Sequence, residues 1–175
     1  MKKSIRSKIG PRGQRWLKAA HLFFACLWVG GAVSLSSKQF FVRASDGREL
    51  FGILDTMNYV DLFIIIPGAM GCLLTGLLYS SLTNWGWFRH RWITVKWIIC
   101  LYGVIIGTYP LGPWLEEMVR IAGQAGLAAL SDPVFRHNAF MLKILGTFQA
   151  ATLVFAAAIS SLKPWRKRAE GDTPS

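Results

Sequence analysis

Charge is scarce in this chain, and acid is scarcest. Only 17% of the 175 residues are charged, and nine acidic side chains face 20 Lys and Arg. Hydrophobic residues make up 53%, above the ~45–50% apolar share of an average soluble domain. That balance excludes an ordinary soluble fold. Cysteine is rare too. Cys26, Cys72 and Cys100 all fall in apolar stretches, and none forms a C-x-x-C pair. No disulfide framework and no thiolate metal spacing follows from them, so they read as small, polarisable packing residues. The three histidines, His21, His90 and His137, are widely separated. Internal repeats and low-complexity tracts are absent.

What is present is long apolar runs. A bilayer core about 30 Å thick needs roughly 20 apolar residues in a helix. Four blocks qualify, at about 19–37, 62–83, 92–111 and 139–162. The expectation is an all-α, polytopic membrane four-helix bundle. Residues 1–16 form a basic, largely unstructured cytoplasmic arm, 17–163 the transmembrane domain and 164–175 a cytoplasmic tail. The first block is too long for a signal h-region and lacks a small-x-small cleavage site, so it reads as an uncleaved span.

The net charge of +11 raises nucleic acid as a partner, but its distribution points to lipid. Lys and Arg gather around the spans, and no basic stripe with base-stacking aromatics occurs outside them. The N-terminal arm, the 84–91 turn and the C-terminal tail hold 13 Lys and Arg, against 5 in the 38–60 and 113–138 connections. By the positive-inside rule both termini are cytoplasmic, and in a bacterium the membrane is the inner one.

Within that frame, Asp46 or Ser45 is expected to cap a helix starting near Arg48 and leading into span 2. Pro67 should kink span 2 by freeing the Phe63 carbonyl. Pro110 and Pro113 are expected to close span 3. Residues 114–130 carry Glu116, Glu117 and Arg120, which suits a short helix along the membrane interface. Small-residue stripes suit close helix packing: Gly68, Cys72 and Gly76; Gly103 and Gly107; Gly146 and Ala150; Gly30 and Gly31. The same faces could serve a homo-oligomer.

Charged groups inside a bilayer are costly, about 2.5–3.5 kcal/mol on insertion scales, and so are candidates for function. His21 and Lys96 each lie about one turn into a span from the cytoplasmic side, at similar depth. Two readings stand. In one, Lys96 snorkels to the headgroups and a neutral His21 bonds within its own bundle. In the other, they form a cofactor site, with the imidazole as a metal ligand and the lysine pairing with porphyrin propionates. Bis-histidine haem is disfavoured, because His90 lies in a turn and His137 on the opposite side. Asp61 and Lys143 open spans 2 and 4 from the other side, and are expected to form a structural ion pair. No catalytic constellation is evident.

The stretches "WLKAAHLFFACLWVGG", "DLFIIIPGAMGCLLTGLLYS" and "RWITVKWIICLYGVIIGTYPLGP" resemble a family of small bacterial four-span integral membrane proteins of unknown function. The shared pattern is His21, Trp28, Gly30 and Gly31, then Asp61, Pro67, Thr75 and Gly76. More distantly, spans 1 and 3 are similar to the membrane protoporphyrinogen oxidase family, which has a first-span His and a third-span Lys in a W-x(3)-K setting, here Trp92 and Lys96. That resemblance implies a haem or porphyrin role for His21 and Lys96. A similarity to the copper-resistance membrane domain implies copper instead, although the further histidines of a copper pathway are missing. Span 4 carries no oxidase motif, so the oxidase activity is not transferred. The expected role is that of a structural or accessory inner-membrane protein, with porphyrin-linked redox and copper handling as alternatives.

Overall fold

A computed structural model describes residues 9–82 and 91–162. Four continuous helices run through them, Pro11–Phe41, Gly47–Leu82, Arg91–Ser131 and Pro133–Leu162, and all are long and apolar enough to cross a membrane. The described residues contain no strand. The protein is an all-α, membrane-spanning four-helix bundle. Its α-helical segments are α1 (Pro11–Phe41), α2 (Gly47–Val60), α3 (Ile66–Leu82), α4 (Arg91–Ile106), α5 (Gly112–Ala125), α6 (Pro133–Met141) and α7 (Thr147–Leu162). Span 2 is α2 continued into α3, span 3 is α4 continued into α5, and span 4 is α6 continued into α7.

The helix starts follow from local chemistry. Pro11 occupies the first turn of α1, where its fixed φ suits a helix and its missing N–H costs nothing. The helix therefore begins at Pro11, and residues 11–16 of the expected unstructured arm are helical. Asp46 caps α2 by accepting from the Glu49 amide at 2.8 Å. The Glu49 carboxylate reaches back to the Ser45 amide at 2.6 Å and hydroxyl at 2.5 Å, a close relative of the capping box. Asp132 caps α6 in the same way, accepting from the Phe135 amide at 2.9 Å, with Pro133 next in the chain. Residues 84–90 of the expected turn and the basic tail lie outside the described residues, and Arg91 is the first residue of α4.

The prolines do not end helices here. Pro110 sits inside a π-helical turn, Gly107–Leu111, and the helix passes through it and through Pro113 into α5. The wider turn absorbs the missing donor, since the Gly112 amide bonds the Gly107 carbonyl five residues back. Span 3 is thus not closed at Pro110 and Pro113 as the sequence suggests. Another π turn, Asp61–Ile65, directly precedes Ile66–Pro67, with the Ile66 amide bonding the Asp61 carbonyl. A third, Leu142–Gly146, joins α6 to α7. Each of the last three spans therefore carries one π turn.

The helices exceed a bilayer. Thirty-one residues of α1 extend roughly 46 Å at 1.5 Å per residue, against a hydrocarbon core of about 30 Å. At the end where α1 finishes, α2, α5 and α6 pack into a cap. The cap is built from apolar positions at helical spacing, Leu50, Leu54 and Met57 on α2 and Leu115, Met118 and Ala122 on α5, all buried. Its polar face carries an exposed Arg120–Glu117 pair at 2.5 Å. Residues 114–130 are helical, α-helical to Ala125 and 3₁₀ from Gly126, but they continue span 3 and are not the separate short helix expected. Gly126 takes φ +56°, which glycine adopts without steric cost. The backbone of Gly47 lies against it: a Cβ on Gly47 would sit 2.8 Å from the Gly126 Cα.

The main seam runs between α1 and α3. Trp28 is 2% exposed at its centre. Gly68 lets the α3 backbone approach so closely that a Cβ there would lie 2.8 Å from the Trp28 amide nitrogen. On α4, a Cβ at Gly103 would meet the Trp28 indole at 2.9 Å. Gly31 meets Ile65, whereas no atom of the described residues lies within 4 Å of the Cβ position at Gly30. The stripes on α3 and α4 are thus occupied by this chain's own α1 and α7. Gly68→Ala should lower the melting temperature in detergent, because a backbone atom cannot step aside; overpacking of this kind costs about 1–3 kcal/mol. Gly30→Ala should be neutral or stabilising, by up to about 1 kcal/mol. Equal effects would place the close approach elsewhere.

Candidate functional site

Three helices bring polar side chains together away from the cap. From α1 comes His21, two turns before Trp28 and on the same face. From α3 come Cys72 and Thr75, three residues apart and both buried. From α4 come Lys96 and Cys100, four residues apart, so they too share a face. The small Gly76 leaves room beside the imidazole, and a Cβ there would lie 3.6 Å from His21 Cε1.

The hydrogen bonds give the cluster a direction. The Thr75 hydroxyl donates to the Gly71 carbonyl at 2.6 Å, with the Cys72 carbonyl at 3.1 Å as its second acceptor. Its proton is thereby committed within α3, as is usual for threonine in a helix. Thr75 Oγ1 lies 2.9 Å from His21 Nδ1, and only His21 can supply the proton for that bond. We therefore assign the neutral Nδ1–H tautomer. In the neutral imidazole Nε2 then carries the lone pair. The Cys72 sulfur sits 4.0 Å from Nδ1.

Lys96 is the charged member. It is half-buried and lies close enough to His21, Cys72 and Cys100 to interact with them electrostatically. Among the described residues no carboxylate lies within 4.0 Å of its ammonium. The two thiols neighbour one another. Sequence reasoning treated them only as packing, yet a signal was present: Cys72 continues the Gly68 stripe, and Cys100 follows Lys96 by one turn. Cys26, by contrast, is exposed.

The other sequence candidates separate. Asp61 and Lys143 form no ion pair. The Lys143 ammonium lies over the Phe40 ring, 4.4 Å from its centroid, while the charged neighbour acting on Asp61 is Glu116 of α5. Shared depth did not become contact, because Asp61 sits in the π turn that packs against α1 and α2, and Lys143 sits in the one beside α1, α6 and α7. His137 stands at the cap end, edge-on to Trp114 with ring centroids 6.2 Å apart. His90 lies outside the described residues. No three His, Cys, Asp or Glu side chains among the described residues converge as metal ligands.

Two neutral groups add cross-span ties that sequence reasoning did not single out. Gln149 Nε2 of α7 donates to the Gly103 carbonyl of α4 at 2.9 Å. The Ser36 hydroxyl of α1 donates to the Gly146 carbonyl at 3.2 Å, and a single buried hydroxyl, Thr147 Oγ1, lacks a partner among the described residues.

The His21–Thr75 contact is directly measurable. A double-mutant cycle of His21→Leu and Thr75→Val, read as unfolding free energy in detergent, should give a favourable coupling near ~0.6 kcal/mol and no more than about 1.7 kcal/mol. Strictly additive effects would mean the two side chains do not meet.

Comparison with protein families, with curated proteins and with solved structures gives no match for this chain.

Proposed function

We propose that this chain is an accessory protein of a bacterial inner membrane, with both termini in the cytoplasm, and that it belongs with the small four-span membrane proteins it resembles. The observation that carries the accessory role is the set of cross-span hydrogen bonds. His21 to Thr75, Gln149 to Gly103 and Ser36 to Gly146 spend their polar groups on holding helices together. In a bilayer that is what such groups achieve best, because hydrophobic burial does not drive helix association there. Orientation rests on the 13-to-5 split of Lys and Arg. A reporter active only in the periplasm should be silent when fused after Ser175 and active when inserted near Gly47. Activity after Ser175 would reverse the C-terminal assignment.

A second reading, a haem- or porphyrin-linked role, is favoured by one feature of the cluster. His21 donates through Nδ1 and keeps the Nε2 lone pair, the arrangement that metal-ligating histidines adopt when a neighbour holds the other nitrogen. Lys96 beside it lacks a carboxylate partner among the described residues, so an acid group on the ligand could satisfy it. These residues fit a single-histidine haem site, with His21 holding the metal and Lys96 a propionate. When bound, the haem would supply one-electron chemistry. The protein's part would be to fix the imidazole through Thr75 and to bind the carboxylate. Copper handling has weaker support, since three ligands do not converge among the described residues.

Haem titrated into the detergent-solubilised protein separates the two. The second reading expects a saturable Soret change that His21→Ala shifts or abolishes. Lys96→Met should then weaken binding about tenfold, a loss of one charge-assisted contact of the ~1.5–3 kcal/mol class, while leaving the ligation spectrum intact. Absence of a saturable change, or wild-type binding by both variants, leaves the accessory reading.

A further inference from the structure

A second feature lies at the cap end, remote from His21. Beneath α2, α5 and α6 is a cavity of about 290 Å³. Leu54, Met57, Leu115 and Phe135 form its apolar floor, each no more than 5% exposed. Its wall also contains Lys38 and Gln39 of α1 and Lys143 of span 4. No Asp or Glu among the described residues lines it. Neither lysine has a carboxylate within 4.0 Å among the described residues, and the Lys143 ammonium rests over the Phe40 ring.

An apolar chamber with two cations and no acid in its wall is matched to one kind of molecule. The floor accepts a hydrocarbon tail. The lysines accept an anionic head through charge-assisted hydrogen bonds, which are stronger than neutral ones. The volume sits at the lower edge of the ~300–1,000 Å³ range of small-ligand sites, which suits one alkyl chain rather than two. We propose that this cavity binds an anionic single-chain amphiphile, its head held by Lys38 and Lys143 and its tail laid over Leu54 and Leu115. Two sources supply a head with this chemistry, the carboxylate of a free fatty acid and the phosphate of a lysophospholipid. The site is independent of the role assigned to His21 and Lys96.

The test uses the full chain in an uncharged maltoside detergent at mildly alkaline pH. Dansyl-undecanoate is titrated in and its fluorescence followed. Saturable binding is expected, displaced by dodecanoate or by lysophosphatidylglycerol and not by dodecyltrimethylammonium, which has the same tail with a positive head. The more effective competitor identifies the source of the head. Affinity should fall as salt is raised, a readout that needs no variant. The Lys38→Gln/Lys143→Gln double variant should bind at least tenfold more weakly, and Leu54→Trp, which fills the floor, should bind weakly with both lysines intact. Displacement by the cationic amphiphile as good as by the anions, salt-independent affinity, undiminished binding by the folded double-lysine variant, or no saturable binding would each overturn the proposal.

Discussion

The near-contact of two backbones at Gly68 and Trp28 is the constraint on which the rest of the bundle depends. In water, apolar burial would draw the helices together at about 25 cal/mol per Å². In lipid the tails solvate leucine as well as another helix does, and close packing must replace that force. Gly68 supplies it by admitting the Trp28 backbone where a Cβ would lie 2.8 Å from its nitrogen. The indole then abuts Gly103 on α4. One large side chain and two glycines thereby fix three helices, and Gln149 brings in the fourth through its bond to the Gly103 carbonyl.

That seam also places the polar cluster. His21 precedes Trp28 by seven residues, two helical turns, so any register that buries the indole turns the imidazole toward α3 as well. Thr75 follows Gly68 by the same interval. The two residues meet because each is two turns from the closest backbone approach, and the α1–α3 pair is antiparallel. Lys96 likewise lies seven residues before Gly103, on the α4 face that meets the indole. A polar group inside a membrane bundle is costly unless bonded, and this geometry lets His21 be bonded without making it inert. One ring nitrogen is committed to Thr75 and the other keeps its lone pair.

At the opposite end the energetics change. The cap formed by α2, α5 and α6 is built as soluble helices are, with apolar stripes inward and charged residues such as Arg120 and Glu117 outward. Side-chain caps at Asp46 and Asp132 and the left-handed Gly126 belong to the same aqueous style. The π turns lie in the helices that join the two regions. Each shifts the register by about one residue, so that a cap helix and its span can satisfy different partners without a break in the chain.

The amino-acid sequence alone determined the four spans, since twenty apolar residues in a row have few other stable fates. The Asp46 cap was legible for the same local reason, as were the stripes at Gly68 and Gly103. The proximity of His21 and Lys96 was half legible: periodicity gave their depth, while their facing required knowing that both spans pack around Trp28. Tertiary structure alone decided the remainder. It set Lys143 over Phe40 instead of Asp61, joined Cys72 and Cys100 to the Lys96 cluster, and carried a helix through Pro110. Depth along a helix follows from counting residues. The direction a side chain faces depends on a rotation that one π turn alters by roughly 100°, the angular step of a single helical residue, and only packing against neighbours fixes that rotation.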